Sequence, residues 1–135
     1  MIDIFNELYT LVETDITTYA TSKEIHIGMD SEHVNQPSEF PFVSVEELDN
    51  LVYERTSNCE IENHALIEFE VNIYTKGSYR KSVANEIANV VDNVFKTCGL
   101  IRGSKNNFSE NDGTTFHVIL RYSGVVSQDK VIFRR

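Results

Sequence analysis

The sequence predicts an α+β domain: a mainly antiparallel sheet of four to five strands with two helices packed on one face. Three observations carry that expectation. Residues 66–74 alternate strictly, with Ile67, Phe69, Val71 and Ile73 on one side and Glu68, Glu70 and Asn72 on the other. A side-chain period of two is that of a strand with one buried face. Two other stretches, near 3–20 and 82–98, repeat apolar residues at spacings of three and four, the period of an amphipathic helix. Finally, the segments run helix, strands, helix, strands within 135 residues, a length suited to one domain spanning 1–135.

The first helix carries Phe5, Leu8, Val12, Ile16 and Tyr19 on its stripe, widened by Ile4 and Leu11. Asp3 is placed to cap it. Thr17-Thr18-Tyr19 is poor in helix formers, so the helix is expected to stop near Ala20. Lys23 to Met29 alternates weakly, with Ile25 and Ile27 on one face, and reads as a strand. Residues 30–40 are polar and punctuated by Pro37, with Pro41 just after, which makes a flexible loop. From Phe42 to Leu48 the alternation returns, Val43, Val45 and Glu47 opposing Phe42, Ser44 and Glu46. Residues 49–63 form a second flexible stretch, or the arm of an extended hairpin, before the central strand.

Gly77 breaks that strand, and Ser78 or Ser82 can cap the helix after it. Its stripe is Val83, Ile87, Val90 and Val94, broadened by Ala84, Ala88, Val91 and Phe95. Gly99 suits the left-handed position after a helix end. A strand is expected over Leu100–Lys105, with a polar loop within 103–113. A last long strand, Thr114–Val125, sets Phe116, Val118, Leu120 and Tyr122 against Thr115, His117, Ile119 and Arg121. The tail Val131-Ile132-Phe133 is apolar enough to dock on a sheet, its own or a neighbour's, and ends in Arg134 and Arg135.

Composition narrows the function. A net charge of −9 argues against a general nucleic-acid binder, which needs a basic footprint. No apolar run approaches the roughly 20 residues that cross a bilayer, and the first residues lack the basic-then-apolar pattern of a signal peptide. Cys59 and Cys98 are too few and too far apart for a disulfide or metal framework. His26, His33, His64 and His117 show no metal-ligand spacing with one another or with cysteine. Cys98 sits at a helix C-terminus, which disfavours a thiolate, and Cys59 near His64 lacks an orienting group or oxyanion motif. Glu46, Glu47, Glu60, Glu62, Glu68 and Glu70 are numerous, but Glu68 and Glu70 at strand spacing simply make an acidic sheet face. No glycine-rich phosphate loop is present. The residues therefore point to no catalytic site, no metal and no cofactor.

Three strings do carry a resemblance. Phe40-Pro41-Phe42-Val43-Ser44-Val45, Phe69-Glu70-Val71-Asn72-Ile73-Tyr74-Thr75-Lys76-Gly77 and Thr114-Thr115-Phe116 through Leu120-Arg121-Tyr122-Ser123-Gly124-Val125-Val126 resemble small tail proteins of long-tailed bacteriophages of Firmicutes. With the helix ending Cys98-Gly99-Leu100, the chain is similar in size and element order to tail terminators, also called tail-completion or tail-to-head joining proteins. The resemblance implies a structural virion protein at the head–tail junction, assembled in the host cytoplasm. It implies a hexameric ring that caps the tail tube, ends its polymerisation and joins the neck, with tail-tube and neck proteins as partners. DNA would pass through the lumen unbound, since an acidic conduit repels phosphate. Glu68, Glu70 and Asn72 become candidates for a lumen or subunit seam, and Lys76, Arg80, Lys81, Arg134 and Arg135 for contact edges. A head-completion or stopper protein of the same neck is the alternative. A small hydrolase using the acidic face is a remote one.

Overall fold

The computed structural model describes residues 3–32, 37, 39–52, 64–110, 114–127 and 132–133. Helix α1 runs Phe5–Lys23, three residues beyond the expected stop at Ala20. The threonines are what the sequence reading misjudged. The hydroxyls of Thr10, Thr14, Thr18 and Thr21 each donate to the carbonyl four residues back, so the polar side chains are satisfied without leaving the helix. The N-cap is Ile4 rather than the expected Asp3, whose Oδ1 still accepts the Phe5 N–H at 2.9 Å from one residue further out. Glu24, with φ 56, turns the chain out of the helix.

Because α1 takes Lys23, the strand expected over 23–29 shortens to β1, Gly28–Asp30, and Ile25 is left exposed. Strand β2 spans Phe42–Val52 and β3 spans His64–Lys76, paired antiparallel from Phe42↔Tyr74 to Val52↔Ala65. Residues 49–52, expected either in a flexible stretch or in the arm of an extended hairpin, belong to the arm, while 53–63 lie outside the described residues. Helix α2, Arg80–Cys98, has Tyr79 at its N-cap and neither Ser78 nor Ser82 as a capping side chain. Gly99 takes φ 94, as its position after the helix required, and the Gly99 and Leu100 N–H groups return to the Lys96 and Phe95 carbonyls.

Strand β4 covers Ile101–Glu110, so residues 106–110 extend a strand where a loop was expected; β5 covers Thr115–Ser127. Polar side chains did not prevent the extension, because nine ladder positions against β5 supply the backbone partners. A two-residue β6, Ile132–Phe133, pairs with Val125 and Val126, docking the tail on its own sheet.

The strand order is β1-β2-β3-β5-β4, with β6 beside β5. The sheet is mixed: β1 runs parallel to β2, and every other pair is antiparallel. Both helices lie on one face. Val43, Val45, Ile67, Phe69, Val71, Ile73, Val118 and Leu120 are fully buried beneath Leu8, Val12, Ile16, Ala84, Ile87, Val91 and Phe95. On α2 the broadening residues make the centre of the stripe, and Val83 and Val90 are only partly buried. Aromatic rings bind the layers: Phe69 stacks on Phe5 and meets Phe95 edge-on, and Phe95 stacks on Tyr122 at 4.1 Å.

Candidate assembly surface

The helix-free face of the sheet carries Glu68, Glu70 and Asn72, and it is drier than the alternation suggested. Strand pairing sets Glu70 opposite Arg121, Asn72 between Ser44 and Ile119, and Tyr74 between Phe42 and His117. Asn72 and Ser44 are fully buried, and Glu70 and His117 nearly so. Glu68 alone of the expected acidic row is half-exposed.

Burial of polar groups is tolerable only if they are bonded. Arg121 Nε donates to Glu70 Oε2 at 3.2 Å, and Asn72 Nδ2 donates to Glu70 Oε1 at 3.0 Å. A carboxylate only accepts, so the Asn72 amide must turn its nitrogen toward Glu70 and its oxygen toward His117, 2.7 Å from Nε2. His117 Nε2 is therefore a donor, and the imidazole lies flat on Tyr74 with ring centroids 4.1 Å apart. The result is one chain of contacts, Arg121–Glu70–Asn72–His117–Tyr74, crossing β3 and β5. The sequence hinted at it through polar residues at period two on both strands. Which of them would pair needed the register.

At the Lys76 end of β3 the turn into α2 is tightly specified. Gly77 takes φ 101, a conformation costly to a residue with a Cβ. Arg80 donates from Nη1 to the Gly77 carbonyl at 3.1 Å, and Thr75 Oγ1 donates to the Arg80 carbonyl at 2.7 Å. Lys76 Nζ sits 4.8 Å from the centre of the Phe40 ring. Lys76 and Lys81 are exposed and Arg80 is half-buried in this turn. Between them stands Tyr79, 79% exposed, which the sequence reading passed over. Arg134 and Arg135 lie outside the described residues.

A shallow cleft lies at the far end of α2, lined by Asp92, Lys96, Gly99, Leu100, Ile101, Arg102 and Tyr122. Asp92 Oδ1 accepts both the Tyr122 hydroxyl at 2.8 Å and Arg102 Nη1 at 3.4 Å. Burial, and then the bond to Asp92, hold the Tyr122 phenol far above its ordinary pKa. Asp92 disfavours the helix dipole at this end, but these two partners give it a structural reason to be there. Burial likewise pushes the Cys98 thiol up, away from nucleophilic behaviour. Among the described residues no group of histidine, cysteine and carboxylate side chains is arranged to hold a metal. His26 is exposed beside Glu39, and His33 and Cys59 lie outside the described residues. No described helix is long and apolar enough to cross a membrane.

No family model matches this chain, and no curated protein matches it either. Among solved structures the chain is similar to the gp17 protein of bacteriophage SPP1, at 14% sequence identity and a TM-score of 0.42. That match covers 87% of this chain and 88% of the phage protein.

Proposed function

We propose that this chain is a structural subunit of a long-tailed phage particle, a tail terminator. Copies assemble into a ring, with six the number implied by the sequence resemblance. The ring caps the last tail-tube ring, stops polymerisation and presents a surface to the neck. The observation that carries the reading is where the three resembling strings fall. Phe40–Val45, Phe69–Gly77 and Thr114–Val126 are far apart in the chain, yet they form three neighbouring strands in register, Phe42↔Tyr74↔His117. The resemblance thus spans the centre of one sheet rather than scattered fragments. The structural likeness to the phage protein is too shallow to add weight.

Two further features fit a conduit subunit without chemistry of its own. Glu70 has both carboxylate oxygens engaged, by Asn72 and Arg121, and so is not free for acid–base work. A net charge of −9 per copy gives a ring that repels passing DNA phosphate. Glu70 and Asn72 are buried within the subunit, so their part in any seam is to hold the sheet rigid beneath it. Glu68, Lys76, Arg80 and Lys81 supply the accessible groups.

The test is electron microscopy of particles lacking this protein. Tails of uncontrolled length are expected, whereas normal tails beside leaking heads would replace this reading with a stopper. Binding in solution separates the same two: a terminator captures tail-tube protein, and a stopper captures the portal assembly. A chain that light scattering finds monomeric both alone and with tube protein would count against either.

A further inference from the structure

The two ends of the β2–β3 hairpin carry opposite charge and both expose apolar side chains. At one end is the turn of Lys76, Tyr79, Arg80 and Lys81, and no acid occurs anywhere from Thr75 to Val83. In a chain with 21 acidic and 12 basic residues, an acid-free stretch holding three cations is a local reversal of sign. At the other end β2 reads Glu46-Glu47-Leu48-Asp49-Asn50-Leu51, and no base occurs from Phe42 to Val52. The ladder slips between Glu47 and Asp49, and the extra residue is Leu48, which is left 41% exposed. Bulges re-aim side chains in this way. Leu51, three residues on, is 55% exposed. Two leucines thus stand in solvent within an acidic arm.

We propose that these ends dock on each other between copies: the Tyr79 turn of one copy seats on the Leu48–Leu51 arm of the next. The charges are complementary, Lys76, Arg80 and Lys81 against Glu46, Glu47 and Asp49. The apolar parts are complementary too, an aromatic knob held by a bonded turn against two leucines. An exposed tyrosine among cations has the anatomy of an interface anchor. The two patches cannot meet within one chain, because about nine strand residues, roughly 30 Å, separate them. Since the patches differ, the contact is heterologous: each copy keeps one free end, and the series runs on until it closes into a ring. Only that closure rests on the ring reading above. A second copy is favoured over nucleic acid because three cations on a chain of net charge −9 are a poor match for a polyanion.

Single-ended variants test this. One carries Tyr79→Ala with Lys81→Glu, the other Leu48→Ser with Leu51→Ser; all four side chains are exposed, so both variants should melt as the wild type does. Sedimentation velocity should find the wild type in an assembly larger than two subunits and each variant as a monomer. An equal mixture should form a species of two subunits and nothing larger, because each such pair has used its only working contact. Retention of the wild-type mass by either variant, or a mixture that stays monomeric, overturns the proposal. Should a variant fail to fold, carbodiimide coupling of mixed ¹⁴N and ¹⁵N wild-type protein gives the answer. A link from Lys76 or Lys81 to residues 46–49 between differently labelled chains is expected. An intact assembly without that link overturns the proposal, as does a monomeric wild type that binds duplex DNA through the Tyr79 turn. Rings that persist in both variants would remove this contact and leave the tail reading standing. The two-subunit species, together with normal tails in particles lacking the chain, would do the reverse.

Discussion

The two faces of one sheet are built from the same strands and solve burial in opposite ways. On the helix-covered face Ile67, Phe69, Val71 and Ile73 interlock with apolar side chains of α1 and α2, and polar atoms enter only at the margins, where the Thr75 and Tyr122 hydroxyls are bonded to the Arg80 carbonyl and Asp92. On the other face Glu70, Asn72, Ser44 and His117 are as dry, or nearly so, and stability there depends on each polar atom finding its bond. The first arrangement tolerates small errors of direction, because dispersion and apolar transfer have no preferred angle. The second does not. Ser44 Oγ, buried with no described partner, shows how easily one group is left out.

That contrast can be broken at several depths. Phe69→Ala should be the most damaging, since Phe69 touches both helices' aromatic rings and truncation leaves a cavity. A loss of about 3–5 kcal/mol in urea unfolding is expected. On the other face, Asn72→Leu keeps the volume and deletes both bonds, leaving the Glu70 and His117 atoms unpaired. It should cost about 1–3 kcal/mol, and a cost near zero would mean that the network is ornamental. Tyr122→Phe removes one hydroxyl from Asp92, which keeps Arg102, so about 0.5–1.5 kcal/mol is expected. Thr14→Ala, on the exposed side of α1, should change stability by no more than about 0.5 kcal/mol, because the lost back-bond is offset by better helix propensity.

Alkaline titration sharpens the comparison further. Burial, aided by the hydroxyl's 2.6 Å bond to Glu86, pushes the Tyr19 phenol up to about 12 from 10.0. The folded chain therefore keeps a proton that the unfolded chain releases. Stability from this group is complete below pH 10 and declines as the pH rises toward 12. Melting temperatures followed across that window should fall less steeply in Tyr19→Phe and Tyr122→Phe than in the wild type.

Much of the fold was legible in local pattern. Strict alternation over 66–74 and 114–125 named two central strands and their apolar faces, because a pleated chain obeys a period of two regardless of partners. The α2 stripe and Gly99 were equally plain, since both depend on neighbours within a turn or two. Element ends were less so. β4 ran on to Glu110 and α1 to Lys23 where composition suggested a stop, as ladder partners and hydroxyl back-bonds overrode weak propensities. The basic turn was visible as Lys76, Arg80 and Lys81, but Tyr79 was missed because its 79% exposure follows from the turn's bonds rather than from its neighbours in sequence.

By itself, then, the sequence determined which side chains share a face, where the chain must turn and what sign of charge each segment carries. These are short-range properties, set by covalent spacing and side-chain chemistry. The tertiary structure decided which strands lie side by side, that β1 joins β2 in parallel and that the polar face is buried. It also decided that Asn72 meets His117, 45 positions away, and that a slipped ladder turns Leu48 outward. Those outcomes depend on register between distant segments, and register is fixed only when all the strands and both helices pack at once.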